Sequence, residues 1–281
     1  MISLLLVNYL ALAQKVIEPT VTNPEWTKPY PSFRIAGNLY YVGTYELTSY
    51  LIVTPKGNIL INTGVASSAP MIKANIESLG FKFADIKILL NTQAHFDHMG
   101  AMAAIKKMTG AKMMVDEGDA PEVEIGDRSD YTVRGNVSTY IPVKVDRLLH
   151  NGDIIALGGM QLTMLHHPGH TKGSCSFLFD VKDNKRSYRV LIANMPSIPT
   201  DKEFSALTSY PNIAKDYAYT FKAMKKLSFD IWVASHAGQF DLQHKHKPGD
   251  AYNPDAFMDR KGYDAELNEL EKGYLERVNG K

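Results

Sequence analysis

The chain is poor in cysteine and has no excess of charge of either sign. Its 281 residues include one cysteine, so an internal disulfide is excluded. A chain of this size buries about three quarters of its unfolded surface and can form one large core without covalent links. Lys and Arg total 31 against 30 Asp and Glu, a formal net charge of +1. This balance excludes the basic surface with which proteins bind nucleic acid or anionic membranes.

Several catalytic motifs are also absent. The chain has no phosphate-binding P-loop, no dinucleotide-binding glycine motif, and neither the Ser-x-x-Lys nor the Lys-Thr-Gly string that activates a serine nucleophile in one class of hydrolases. Residues 169–173, GHTKG, resemble a nucleophile elbow, but Thr171 stands where Ser is usual. Covalent catalysis is therefore the weaker interpretation of that segment, and holding His170 is the stronger one.

A compact polar cluster follows an apolar run. Residues 86–90, IKILL, predict a buried strand, and residues 91–100, NTQAHFDHMG, follow it directly. In an extended backbone, alternate side chains share a face, which predicts Gln93, His95 and Asp97 together and His98 in the neighbouring space. Two imidazoles, a carboxylate and an amide oxygen can bind one or two metal ions. A surface loop that happens to contain two histidines is the other interpretation.

Two further histidines favour the metal interpretation. His170 lies in a Pro/Gly turn at residues 168–174 that enters the apolar run 177–179, and His236 follows the predicted strand 229–235. Ligands at the ends of three strands would form a rigid site that loses little entropy on metal binding. Cys175 is expected to be a buried, unreactive thiol, although its proximity to His170 leaves metal binding open.

The order of these motifs resembles that of a known family. A Gln/His-x-His-x-Asp-His segment, a later Gly-His-Thr-x-Gly-Ser segment and a His after a further strand resemble the metallo-β-lactamase superfamily, from about Phe33 to the C-terminus. The finer likeness is to the subclass B3 metallo-β-lactamases, in the GOB-type branch that has Gln in place of the first ligand His. Residues 33–45, 166–174 and 193–197 carry this finer likeness.

The resemblance implies a fold and a set of ligands. The expected fold class is α/β, a four-layer αβ/βα sandwich with the metal site at the sheet edges. The implied ligands form two triads: Gln93, His95 and His170 for a first ion, and Asp97, His98 and His236 for a second. Zinc, with one or two ions per chain, is expected because the donors are nitrogen and oxygen with few carboxylates. The second site should dominate, because the first has a neutral amide and no anionic ligand.

The implied activity is metal-dependent hydrolysis of the β-lactam amide bond, which confers resistance to β-lactam antibiotics. Asp97 would bind metal and orient the attacking water, and the reaction would use a metal-bound hydroxide without a covalent acyl-enzyme. Ser197 is a candidate for binding the substrate carboxylate, and a Ser that caps a Pro-flanked turn is the other interpretation. The expected partner is a small-molecule β-lactam, and no protein partner is implied.

A glyoxalase-II-like thioesterase or a lactonase is the alternative within the same superfamily. Those relatives usually have a metal-bridging Asp at the strand end that corresponds to residues 192–197, where this chain has Asn194 and Met195. A neutral amide or thioether brings no charge with which to bridge two dications, which favours a lactamase. A non-catalytic metal-binding or scaffold protein is a third hypothesis, and Gln93 in place of His is its only support.

The rest of the chain alternates strands and helices without a linker or repeat, which predicts a single domain at residues 14–281. Strands are predicted at residues 39–42, 49–53, 58–61, 112–115, 161–165, 174–179 and 189–193. Helices are predicted at residues 67–79, 100–107, 206–227 and 254–277. The first of these helices is expected to begin with a Ser cap and to stop at Gly80.

Residues 1–13 predict an export signal. They are apolar, too short to span a bilayer, and end in Ala11-x-Ala13 before the polar Gln14 and Lys15. The segment contains no Lys or Arg, which leaves an interior amphipathic strand as the other interpretation. We expect cleavage after Ala13 and a mature chain in the periplasm without stable membrane association.

The leader prediction concerns the first residue of the exported protein. Sequencing of protein purified from the periplasm should begin at Gln14 or about one or two residues from it, because signal peptidase cuts after small residues. Cytoplasmic precursor is the control and should retain Met1. Intact Met1 in the periplasmic fraction would contradict the prediction.

Overall fold

The computed structural model describes residues 15–133 and 137–280. The predicted leader at residues 1–13 lies outside the described residues. The strands are β1 Phe33–Ala36, β2 Leu39–Tyr41, β3 Tyr50–Thr54, β4 Gly57–Ile61, β5 Ile86–Leu90, β6 Lys112–Asp116, β7 Arg147–Leu149, β8 Ile154–Leu157, β9 Met160–His166, β10 Cys175–Lys182, β11 Ser187–Ala193 and β12 Ile231–Ala234. The helices are α1 Ala69–Ser78, α2 Phe96–Met99, α3 Met102–Thr109, α4 Ala120–Ile125, α5 Ile213–Met224, α6 Leu242–Lys245 and α7 Arg260–Val278. None of these helices is long and apolar enough to cross a bilayer.

The strands form two sheets. The first has the order β1-β2-β3-β4-β5-β6-β7 and the second the order β12-β11-β10-β9-β8. Strands β1 to β4 are antiparallel, while β4 to β7 are parallel. Parallel neighbours need a crossover connection, which α1 provides between β4 and β5 and α3 between β5 and β6. The crossovers leave the carboxyl ends of β4, β5 and β6 at one edge of the sheet.

Side chains alternate between the two faces of the first sheet and pack into two hydrophobic clusters, one on each face. In β3, Tyr50 belongs to the larger hydrophobic cluster and its neighbour Leu51 to the smaller one. The larger cluster continues through Phe177 of the second sheet to Phe221 of α5, and the smaller one contains Ile76 of α1. The central strand β3 thus buries both of its faces. The resulting order of helices, sheet, sheet and helices confirms the predicted αβ/βα sandwich.

The predicted elements are present with shifted ends. The predicted Ser cap of the first helix is wrong, because Ser68 at its N-cap makes no side-chain capping hydrogen bond. Gly80 follows the helix in a left-handed conformation with φ of 84°, as a stop signal requires. The helix predicted at residues 206–227 begins only at Ile213. Pro211 accounts for the delay, because the residue before a proline is disfavoured in helical conformation.

A buried carboxylate joins the first sheet to the turn that carries His170. Asp119, which precedes α4, accepts hydrogen bonds from the Gly173 amide and the Thr171 hydroxyl, both at 2.7 Å. A Cβ atom on Gly173 would lie 2.2 Å from the Asp119 nitrogen, so the two backbones are in direct contact. Burial raises the pKa of Asp119 to about 7. The position of the turn at residues 168–174 therefore depends on Asp119.

Replacing Asp119 should destabilise the fold. Asp119→Ala leaves the Gly173 amide and the Thr171 hydroxyl without this acceptor, and an unpaired buried donor costs about 1–3 kcal/mol. We expect the free energy of unfolding of the metal-free protein to fall by about 2–4 kcal/mol in urea titrations.

The matched control is Asp180→Ala. Asp180 is exposed and pairs with Arg189 at the surface, so its loss should cost about 1 kcal/mol or less. Equal losses for the two variants would contradict a tethering role for Asp119.

Candidate metal centre

The carboxyl ends of β5 and β12 and the turn before β10 meet at one edge of the two sheets. This edge brings together five of the six predicted ligands: His95, Asp97, His98, His170 and His236. The sixth, Gln93, is only 2% exposed, and its Oε1 atom has no hydrogen-bond partner among the described residues. Strand ends hold ligands in this way because the sheets fix the backbone on both sides of each loop.

The second triad forms around the Asp97 carboxylate. Its Oδ2 atom lies 3.3 Å from Nε2 of His236 and 3.3 Å from Nε2 of His98. Asp97 and His98 lie in α2, a short helical turn. The predicted extended segment, with Asp97 on the face of Gln93 and His95, is therefore wrong, because the turn directs Asp97 and His98 to one point. Burial would raise the pKa of Asp97, but His98 and His236 hold it well below its usual range.

In the first triad, two imidazoles face each other. Nδ1 of His95 lies 3.1 Å from Nε2 of His170. Nδ1 of His170 lies 2.8 Å from the Ser197 carbonyl oxygen. A carbonyl oxygen only accepts, so Nδ1 carries the hydrogen and Nε2 presents its lone pair. Burial and the neighbouring His95 lower the pKa of His170 to about 3, which keeps that ring neutral.

The donor set fits zinc. Tetrahedral zinc with Zn–N distances of about 2.0–2.1 Å places neighbouring ligand atoms about 3.3 Å apart, and the closest ligand contacts here are 3.1–3.3 Å. Buried polar atoms normally have hydrogen-bond partners. Gln93 Oε1 and Nδ1 of His98 have none among the described residues. An ion would satisfy atoms that the protein leaves unpaired.

A buried chain of polar side chains lies behind the ligands. Asn62, which follows β4 with φ of 60°, accepts a hydrogen bond from the Thr92 amide at 2.9 Å. The Thr92 hydroxyl lies 2.9 Å from that of Ser235, which donates to Asn194 Oδ1 at 3.2 Å. The chain links the ends of β4, β5, β12 and β11. None of the three was a predicted site residue, although Asn62 and Ser235 directly follow apolar strands and Thr92 lies two positions beyond one.

Two remaining candidates have defined positions. The Ser197 carbonyl accepts from Tyr217 as well as His170, and the Ser197 hydroxyl lies 3.2 Å from Nδ1 of His170. Binding of a substrate carboxylate by Ser197 stays a prediction. The Cys175 thiol donates to the Asn91 carbonyl at 3.3 Å, and burial raises its pKa well above the usual range. Cys175 is thus a buried, protonated thiol whose hydrogen is donated to a backbone carbonyl.

A cavity of about 590 Å³ opens beside the ligands. Its lining consists of four ligands and of mostly apolar side chains: Ile17, Pro19, Trp26, His95, Phe96, Asp97, Asp127, Thr132, Val133, Val137, Thr139, His170, Pro199 and His236. The Trp26 ring lies 5.9 Å from that of Phe96 and 6.1 Å from that of His236, measured between centroids. Cavities of this size and polarity bind small molecules.

Comparison with known proteins identifies the family. Residues 44–183 match the metallo-beta-lactamase superfamily. The chain is 65% identical to the class B3 di-zinc metallo-beta-lactamase LRA-12 from an Alaskan soil metagenome, over 93% of this chain and 99% of that one, with a TM-score of 0.92. The chain belongs to the class B3 metallo-β-lactamases.

Other relatives narrow the assignment. The chain is 60% identical to the metallo-beta-lactamase GOB-18 from Elizabethkingia meningoseptica, over 96% of this chain and 100% of that one, with a TM-score of 0.94. This confirms the predicted GOB-type branch within class B3. A hydroxyacylglutathione hydrolase from Rhodopseudomonas palustris is 29% identical over 131 residues, 47% of this chain and 42% of its own length. The chain spans less than two thirds of the curated relatives it matches.

The two sites of this class B3 chain should differ in metal affinity. Gln93→Ala should leave about one bound zinc per chain, at the second site, because it removes a donor of the first site and leaves the second triad intact. Asp97→Ala should empty the second site, because it removes the anionic ligand. Gln93→His should raise bound zinc toward two. Metal per chain, measured by mass spectrometry after dialysis, checks all three.

Gln161→Ala is the control, since Gln161 lies in β9 on the exposed side of the second sheet. It should bind as much zinc as the wild type. Filling of the Gln93 site before the Asp97 site would contradict the expected order.

Proposed function

We propose that this chain hydrolyses the amide bond of β-lactams and thereby confers resistance to β-lactam antibiotics. The supporting observation is the cluster of Asp97, His98 and His236 at the wall of a small-molecule cavity. His95 and His170 face each other at the same wall. The chain is also 60–65% identical, over nearly its whole length, to class B3 metallo-beta-lactamases. Zinc, with one or two ions per chain, is the proposed cofactor. Gln93, His95 and His170 would hold one ion, and Asp97, His98 and His236 the other.

The residues of the site have different proposed roles in the reaction. Bound zinc supplies Lewis acidity toward a carbonyl oxygen and lets water act as a nucleophile near neutral pH. The Asp97 carboxylate lines the cavity and stays ionised, so it can accept a hydrogen bond from the attacking water and orient it. Trp26 and Phe96 offer apolar surface for the nonpolar part of the substrate. The water oxygen would form a C–O bond with the lactam carbonyl carbon, the C–N bond would break, and the nitrogen would take up a proton that the water gives up.

Among the described residues, neither hydroxyl group beside His170 is set up as a covalent nucleophile. The Ser197 hydroxyl lies 3.2 Å from Nδ1 of His170, but that nitrogen already donates to a carbonyl and cannot accept a proton. The Thr171 hydroxyl is buried and donates to Asp119. Water is therefore the proposed nucleophile, and no acyl-enzyme is expected.

A thioesterase or lactonase of the same superfamily is the second candidate. Its support is the partial match to hydroxyacylglutathione hydrolases. Against it, Asn194 occupies the strand end where those enzymes usually have a bridging Asp, and its Oδ1 accepts from Ser235. We also propose, from residues 1–13 alone, that the protein is exported to the periplasm.

Removal of metal should abolish activity. After dialysis against a chelator, hydrolysis of a chromogenic cephalosporin should fall to background, and added zinc should restore it, because no other group generates the nucleophile. Serine-directed acylating inhibitors should leave the zinc-loaded enzyme active. Absorbance assays measure both effects.

Intact-mass spectrometry during turnover is the control for the mechanism. A stable mass increase at any Ser or Thr would contradict direct attack by water. A glutathione thioester serves as the competing substrate. Its hydrolysis without turnover of any penicillin, cephalosporin or carbapenem would overturn the proposal in favour of the thioesterase.

A further inference from the structure

In three of the four predicted ligand histidines, the ring nitrogen that faces away from the site contacts a group that only accepts hydrogen bonds. Such a partner fixes the hydrogen on that nitrogen and leaves the other nitrogen free to bind an ion. For His170 this partner is the Ser197 carbonyl at 2.8 Å. For His236 it is Glu46, whose Oε1 atom lies 3.5 Å from Nδ1. For His95 it is Asp130, whose Oδ1 atom lies 3.3 Å from Nε2.

Asp130 is held in place before any ion binds. It is 6% exposed, and its Oδ1 atom accepts hydrogen bonds from the amide and the hydroxyl of Thr132 at 2.8 and 2.7 Å. The adjoining Tyr131 hydroxyl donates to the His170 carbonyl oxygen at 2.9 Å. This short segment therefore contacts both histidines of the first triad, His95 through its ring and His170 through its backbone carbonyl. Sequence analysis singled out none of the segment's residues.

The contact between Asp130 and His95 matters because the first triad contains no charged ligand. Gln93 and the two imidazoles are neutral when they act as ligands, whereas the second triad contains the Asp97 carboxylate. A carboxylate behind an imidazole increases the basicity of the ligating nitrogen. Asp130 is placed to do so for Nδ1 of His95, the nitrogen that faces His170.

We propose that Asp130 is a positioning residue of the first metal site. It holds His95 with the hydrogen on Nε2 and the lone pair on Nδ1, and it supplies the negative charge that Gln93, His95 and His170 lack. The proposal rests on the metal centre described under the proposed function.

A second carboxylate near His95 provides the alternative. Asp127 is buried with φ of 64°, and ligand atoms of His95, Asp127 and Asp130 lie within 4.8 Å of one another. The three could thus form an additional cation site. However, Oδ1 of Asp130 already faces two Thr132 donors and His95, which leaves it poorly suited to bind an ion. Asp127 therefore serves as the matched control.

The experiment measures zinc affinity of the full chain in competition with a chromogenic chelator. Asp130→Asn keeps the size of the side chain and removes its charge. It should weaken the first site about 10–100-fold, as loss of such outer partners typically does, and leave the second site unchanged. Asp127→Asn should have a much smaller effect on both. Thr132→Val, which keeps the carboxylate but removes the hydroxyl that holds it, should weaken the first site less than Asp130→Asn.

A second measurement determines which ring nitrogen of His95 carries the hydrogen. Imidazole nitrogen NMR of the zinc-loaded wild type should show His95 protonated at Nε2, and Asp130→Asn should shift this resonance while that of His170 stays. Unchanged first-site affinity and an unchanged His95 resonance in Asp130→Asn would overturn the proposal. Equal weakening by Asp127→Asn would replace it with the cation site.

These outcomes are independent of the proposed activity. If the wild type hydrolyses no β-lactam but Asp130→Asn still loses first-site zinc selectively, the proposed function fails and the role of Asp130 holds. Zinc bound at the second site with wild-type affinity shows that each variant is folded.

Discussion

The structure depends on keeping metal-ligand atoms buried without giving them protein partners. An unpaired buried polar atom costs about 1–3 kcal/mol, so loops free to move would rearrange to pair Gln93 Oε1 and Nδ1 of His98. The hydrogen-bonded chain from Asn62 to Asn194 and the contact of Asp119 with the His170 turn prevent this. Metal binding satisfies these atoms, and so part of its free energy offsets a cost already present in the fold.

Both triads keep predicted ligand atoms buried, but only the second triad contains a charged ligand. The second has a direct anionic ligand, Asp97, and its His236 is backed by Glu46. The first has no anionic ligand, and the nearest carboxylate that contacts it, Asp130, lies behind His95. This arrangement explains why a glutamine can stand in the first site and why the sites should differ in affinity. It also extends the metal centre beyond its six ligands.

The predicted metal ligands and the apolar side chains lie on different walls of the cavity. Its ligand wall carries the ionised Asp97, while Trp26 and Phe96 provide an apolar wall for the substrate. Trp26 precedes the first strand, so the segment before the sandwich contributes to the site. At the end of β11, the neutral Asn194 is bound into the hydrogen-bonded network and brings no negative charge to the metal centre. These features together support a β-lactam as substrate over a thioester.

The sequence by itself determined the layered α/β fold, through strand alternation and family resemblance. It predicted the six metal ligands through their position after apolar strands and through the same resemblance. These signals are local, since ligand chemistry and periodicity can be read within a few residues. Only the tertiary structure decided that Asp97 joins His98 in a helical turn and that Asp130 contacts His95, 35 positions away. It also decided that Ser235 hydrogen-bonds with Thr92, 143 positions away. Contacts of this kind depend on how distant loops pack at a shared sheet edge, which no local pattern encodes.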